Sequence, residues 1–115
     1  MKKLPDNQIV FYQSLEGSVH IEVLYAEENI WLTQKKMAEL FGTTPQNITM
    51  HLKNIYASGE IEQSATCKDF LQVQQEGKRE IKRNASFYSL EVIIAIGYRV
   101  NSERGIQFRQ WATEI

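Results

Sequence analysis

Residues 45–59 hold two asparagines, a glutamine, a threonine, a methionine, a histidine and a lysine, and no aspartate or glutamate. Amides at helical spacing can bond adenine edges in pairs. A methionine can touch a thymine methyl, and a lysine suits guanine or a phosphate. Projected at about 100° per residue, Ile48, Leu52 and Ile55 share one narrow arc. Gln46, Asn47, Met50, Lys53 and Asn54 point the other way, with Thr49 and His51 at the flanks. Thr43, Thr44 and the free amides at the start of that helix suit a phosphate oxygen. The chemistry expected of this stretch is hydrogen bonding to duplex DNA.

Such a face needs a scaffold, and residues 33–56 have the spacing of a helix-turn-helix. Thr33 can cap a helix over 34–41, and Leu32 is placed to staple onto Met37. Ala38 provides the small residue that two steeply crossing helices require, and Gly42 tolerates the positive φ of a tight turn. Thr44 caps the second helix, which opens on Pro45, where a missing amide costs nothing. His51 departs from the pattern, since an aliphatic residue is usual there. Its presence implies either a slight rotation of the helix or a partly buried imidazole.

A second set of cations follows. Lys78, Arg79, Lys82 and Arg83 cluster at the turn between strands predicted over 70–75 and 80–88. A basic ribbon after a recognition helix is the layout of a winged helix, and each cation reaching a phosphate releases a counterion. A three-residue loop would set Val73 opposite Ile81, Leu71 opposite Arg83 and Cys67 opposite Phe87. A two-residue loop would face Val73 to Glu80 and Leu71 to Lys82, so the three-residue form is favoured.

The remaining elements are framework. Strands over 9–15 and 19–25 flank Glu16 and Gly17. A two-residue loop places Val10 and Tyr12 with Val19, Ile21 and Val23, whereas a three-residue loop pairs Phe11 and Leu15 with the second strand. Both turn His20 and Glu22 outward. Residues 89–100 are apolar nearly all round and read as a buried helix. Asn101 and Ser102 recap the chain for a last helix with Phe108, Trp111, Ala112 and Ile115 on one stripe. The fold class is therefore α+β, a helix-turn-helix, winged in layout, flanked by hairpins and closed by two helices. Residues 1–115 read as one such domain.

Composition narrows the function. A chain of 115 residues that is 43% hydrophobic supports one core without staples. Net charge is −1, but residues 1–32 carry three more acids than bases, counting Lys2, Lys3 and Asp6. Residues 78–109 carry four more bases than acids. One face meeting a partner of opposite sign fits that asymmetry. The lone Cys67 allows no internal disulfide and fits a reducing cytoplasm. The first six residues lack a signal-peptide pattern, and no apolar run is long enough to cross a bilayer. His20 and His51 lie on different elements without metal-ligand spacing. No phosphate loop or nucleophile arrangement is visible, so neither metal nor cofactor nor catalytic residue is expected, and the chain does not read as an enzyme.

The strings W-L-T-Q-K-K-M-A-E-L-F-G-T-T, N-I-T-M-H-L-K-N-I-Y and S-L-E-V-I-I-A-I-G-Y-R-V-N-S-E-R-G-I-Q-F-R-Q-W-A-T resemble the RhuM family of bacterial virulence-associated proteins over essentially the whole chain. The resemblance implies a bacterial, cytoplasmic, DNA-binding protein whose family members continue beyond residue 115. Gln34, Ala38, Gly42, Asn47, Ile48 and His51 match the family's helix-turn-helix stretch. Arg99, Asn101, Arg104, Phe108, Arg109 and Trp111 match its later signature. The expected function is a DNA-binding transcriptional regulator acting as a dimer on double-stranded DNA. The alternative is a protein-interaction or oligomerisation module, with Phe108, Trp111 and Ile115 as its contact stripe.

Overall fold

The computed structural model describes residues 7–115, the side chain of Gln74 aside. Lys2, Lys3 and Asp6, counted above in the N-terminal charge, lie outside the described residues, as does the stretch read for a signal peptide. The elements are β1 Gln8–Gln13, β2 His20–Ala26, β3 Asn29–Leu32, α1 Gln34–Phe41, α2 Pro45–Ala57 and α3 Gln63–Thr66. They continue with β4 Cys67–Glu76, β5 Arg79–Ser89, α4 Leu90–Val100 and α5 Ser102–Thr113. The class is α+β. Among the described residues one five-stranded antiparallel sheet runs in the order β1-β2-β3-β5-β4.

Alternation decides the first hairpin. Val10 pairs with Val23 and Tyr12 with Ile21, the register of the two-residue loop. Tyr12, Val19, Ile21 and Val23 are buried beneath the helices, while His20 and Glu22 face out. Phe11 and Leu15 are left exposed. Strand β3 was not anticipated. Its turn is made by Glu27 and Glu28 at φ 52° and 56°, a primed two-residue hairpin without the Gly or Asn that normally announces one. Trp31, on β3, donates its indole N–H to the Ala26 carbonyl at 2.8 Å, and Lys68 ion-pairs with Glu27 across the sheet.

The helices cover the other face. Met37, Leu40 and Phe41 of α1 join Ile48, Leu52 and Ile55 of α2 in one core with Ile93, Ile96 and Phe108. Thr33 caps α1 by accepting from the Lys36 amide at 3.2 Å. Ser89 sits at the same position on α4, but its hydroxyl is buried and makes no hydrogen bond. Equal substitutions should therefore differ. Thr33→Ala is expected to cost about 1 kcal/mol. Ser89→Ala is expected to stay within about 0.5 kcal/mol, since no bond is lost and an orphan hydroxyl disappears. Urea midpoints at neutral pH would compare the two.

The β4–β5 register departs from the favoured three-residue loop. Glu76 pairs with Arg79 across a two-residue turn, Gly77 at φ 65° followed by Lys78. Val73 faces Lys82, Leu71 faces Asn84, and Cys67 faces Tyr88 rather than Phe87. The expectation assumed that apolar residues must meet across the pair. Instead Leu71 and Val73 are 60% and 52% exposed, because the ribbon extends past the helices that would cover them. Turn geometry wins where no core sets the register. The stripe of Phe108, Trp111 and Ile115 is also corrected. Phe108 is wholly buried, and Tyr12 packs edge-on against both Phe108 and Trp111 at 5.0 and 5.1 Å between ring centroids. That stripe holds α5 to the sheet.

Candidate nucleic-acid interface

Helix α2 divides cleanly. Ile48, Leu52 and Ile55 are buried, whereas Gln46, Thr49, Met50, Lys53 and Asn54 are exposed. His51 is half-buried, which agrees with the second of its two readings. Among the described residues Lys53 has no salt-bridge partner. The first acid on each side of it in sequence is engaged elsewhere: Glu39 with Lys36, and Glu60 with Arg99 at 2.7 Å.

Not every outward side chain is at liberty. Thr44 accepts from the Asn47 amide at 3.1 Å, and the Asn47 side chain donates to the Thr43 hydroxyl at 2.8 Å. Thr49 donates to the Pro45 carbonyl and accepts from Gln34 at 2.6 Å. These bonds tie the turn to both helices, so Thr43, Thr44, Asn47 and Thr49 hold the start of α2 in place. Gln46, Met50, Lys53 and Asn54 remain as the four side chains with free ends.

The turn itself is clamped from far along the chain. Gly42 takes φ 67° and ends α1, and Arg104 on α5 donates to the Leu40 carbonyl at 3.2 Å. Phe41 lies against Gly97, where α4 and α5 cross. Sequence reasoning noted Arg104 without a role. Nothing local marks an arginine that serves a carbonyl 64 positions away.

Strand alternation splits the basic ribbon. Arg79 and Arg83 project on the side of Phe87, and Lys82 on the side of Leu71 and Val73, with Lys78 at the tip. Arg83 bonds Glu76 at 3.1 Å. The four cations are exposed but do not form a single stripe. The ribbon is joined to α2 through α3, where the Tyr56 and Thr66 hydroxyls lie 3.2 Å apart.

Cys67 is half-buried, and burial pushes its thiol up from the ordinary value, opposing the thiolate a nucleophile needs. Its neighbour Tyr88 is pushed up to about 12, first by burial and then by the charge Cys67 would carry. Burial also raises Tyr12 and Tyr56. In the unfolded chain such phenols ionise near 10.0 and the thiol near 9.0. The folded state keeps these protons longer, so it binds more of them in that range and stability falls as pH rises. Stability should be intact below about pH 9 and decline toward about pH 12. Urea midpoints at pH 8 and pH 11 would show the loss, which Tyr88→Phe should reduce.

A groove of about 520 Å³ opens where short β3 stops, lined by Ile9, Glu22, Leu24, Lys36, Leu71 and Val73 among others. Among the described residues no group of three or more His, Cys, Asp or Glu is placed to hold a metal ion, and no helix is long and apolar enough to cross a membrane.

Residues 65–115 match the virulence protein RhuM family. The match spans a little under half of the chain, from the end of α3 through α5. It covers the later signature with Arg99, Asn101, Arg104, Phe108, Arg109 and Trp111, and it leaves out the stretch around Gln34, Ala38, Gly42, Asn47, Ile48 and His51. The resemblance over the whole chain is thus narrowed to its C-terminal part. No curated protein and no solved structure matches the chain.

Proposed function

We propose that this chain, whose residues 65–115 match the virulence protein RhuM family, is a sequence-preferring DNA-binding module that lays α2 in the major groove. One observation carries the reading. Helix α2 buries Ile48, Leu52 and Ile55 and presents Gln46, Met50, Lys53 and Asn54 to solvent on a surface without a carboxylate from Pro45 to Gly59. A merely solvated helix face normally mixes both signs.

The order of elements supports a winged helix-turn-helix. Strand β3 precedes α1 and α2, the ribbon β4–β5 follows, and β3 pairs with β5 through Leu32 and Tyr88. That pairing sets the root of the ribbon beside the two-helix unit. Base reading falls to Gln46, Met50 and Asn54, and Lys53 reaches a phosphate. The Gln46 backbone amide at the start of α2, with Thr43 and Thr44, approaches the phosphates, and the cations at 78, 79, 82 and 83 act as the wing. Arg104 and Phe41 connect the RhuM-type part of the chain to the turn that aims α2. The module works as a cytoplasmic regulator, as two copies on a palindromic site, and as a binding protein rather than an enzyme. Two copies offset the small footprint of one module.

The interaction-module alternative keeps only part of its stripe, since Phe108 lies inside the core while Trp111 and Ile115 are half-buried. The test is fluorescence anisotropy with a random duplex pool over a salt series. Four phosphate contacts would give a slope of log K against log salt of about −3 to −4. Absence of binding at the lowest salt would refute the proposal.

A further inference from the structure

Strand β4 is an outer strand of the sheet, ten residues long, with neither proline nor glycine. Edges of that length are normally blunted by proline, a bulge or charge along their middle. Here the charges stand at the ends, Lys68 and Asp69 at one and Glu76 at the other. The middle carries the exposed Leu71 and Val73, and both also border the groove that leads to Ile9 and Leu24.

We propose that a second copy of this chain pairs antiparallel along β4, with the two-fold axis at Gln72. This deepens the two-copy part of the reading above and does not require DNA. In that register Gln72 meets the partner's Gln72, Leu71 meets the partner's Val73, and Val73 meets the partner's Leu71. Lys68 meets the partner's Glu76, and the reverse contact forms at the other end. A parallel arrangement would oppose like charges at both ends. An antiparallel one shifted by two residues would lose both opposite-charge contacts. The self-complementarity of Lys68, Leu71, Val73 and Glu76 about one residue selects the occupant and the register together.

Lys68 and Glu76 already have intrachain partners in Glu27 and Arg83. Both pairs are exposed, so they hold these side chains only weakly and leave them able to bridge to a second chain. Residues directly opposite across such a strand pair share a face, so the axis stands perpendicular to the sheet. The two sheets become one continuous sheet, with the helices of both copies on the same side. Both α2 helices then belong to one layer, as a two-fold DNA site would need.

Light scattering after size exclusion, from micromolar to submillimolar chain, should give twice the 13.4 kDa mass. Val73→Lys is expected to weaken the dimer by about tenfold or more, because it sets two ammonium groups against the partner's apolar strand centre. In a Cys67→Ser background, Gln72→Cys should oxidise to a covalent dimer, since opposed residues lie about 4.5–5.5 Å apart between Cα atoms. Gln75→Cys, opposite the partner's Asp69, should not. A monomer throughout, a dimer indifferent to Val73→Lys, or equal cross-linking at 72 and 75 would each overturn the proposal. A chain that dimerises this way but ignores DNA removes only the DNA reading. One that binds DNA as a monomer removes only this one.

Discussion

Gly97→Ala is expected to lower stability by about 2 kcal/mol, where the same change in a helix interior normally raises it by about 0.5–1 kcal/mol. The reversal follows from the crossing of α4 and α5. A Cβ at Gly97 would lie 2.9 Å from Phe41 Cζ and 3.0 Å from the Gly105 Cα. The first neighbour is a core ring that is 2% exposed, and the second is backbone. Neither can yield without moving an element, and overpacking of this kind costs about 1–3 kcal/mol beyond the lost helical gain. At about 4–8 °C per kcal/mol, the melting temperature should fall by roughly 10 °C. Phe41→Leu in the same chain removes the ring edge that the methyl strikes. The double variant should then lose less than the sum of the single changes. A raised melting temperature for Gly97→Ala would mean that the two helices do not meet there. The site is a demanding test because it is where the segment matching the RhuM family touches α1.

What was legible in the sequence follows where the core reaches. Thr33, Gly42, Thr44 and Pro45 specify the ends of α1 and α2 by local chemistry, and the structure ends those helices at the same residues. The first hairpin was narrowed to two registers by alternation, and burial of Tyr12 beside Phe108 selects one. Beyond the core the same reasoning failed. Matching apolar residues across the strand pair puts Val73 opposite Ile81 and Cys67 opposite Phe87, whereas Val73 faces Lys82 and Cys67 faces Tyr88, since no second layer lies over the exposed part of the ribbon to require apolar partners. Turn chemistry at Gly77 decides there. Strand β3 escaped because Glu27 and Glu28 adopt left-handed backbone without the residue types that signal it. In the candidate interface the outward set on α2 could be read from its periodicity. The division of labour within it could not. That Asn47 bonds Thr43 depends on the conformation of the turn, that Gln34 bonds Thr49 depends on how α1 and α2 cross, and the Arg104 contact to Leu40 depends on the whole fold.

That division of labour makes Met50→Glu the sharpest single test of the interface. Met50 is half-exposed in the middle of the free set, and its side chain contributes nothing to the Ile48, Leu52 and Ile55 core. Folding should be indifferent to the change, with the melting temperature within about 2 °C, because an exposed helix site tolerates glutamate well. Binding should not be. A carboxylate there would stand among base-edge acceptors and between two phosphate backbones, on a helix that otherwise bears no acid. Like-charge opposition at an interface costs several kcal/mol when desolvated and less at a wet groove, so a loss of about 30- to 100-fold in affinity is expected. Lys53→Ala should act differently. It should reduce the salt slope by about one contact and weaken binding to all sequences alike. Lys78→Ala, at the ribbon tip, should resemble Lys53→Ala in slope and leave sequence preference intact. If Met50→Glu binds as well as the unaltered chain while Lys78→Ala does not, the ribbon alone carries the contact and α2 is not the reading helix. If Met50→Glu fails and the Lys78→Ala slope is unchanged, α2 reads the duplex without the ribbon touching a phosphate.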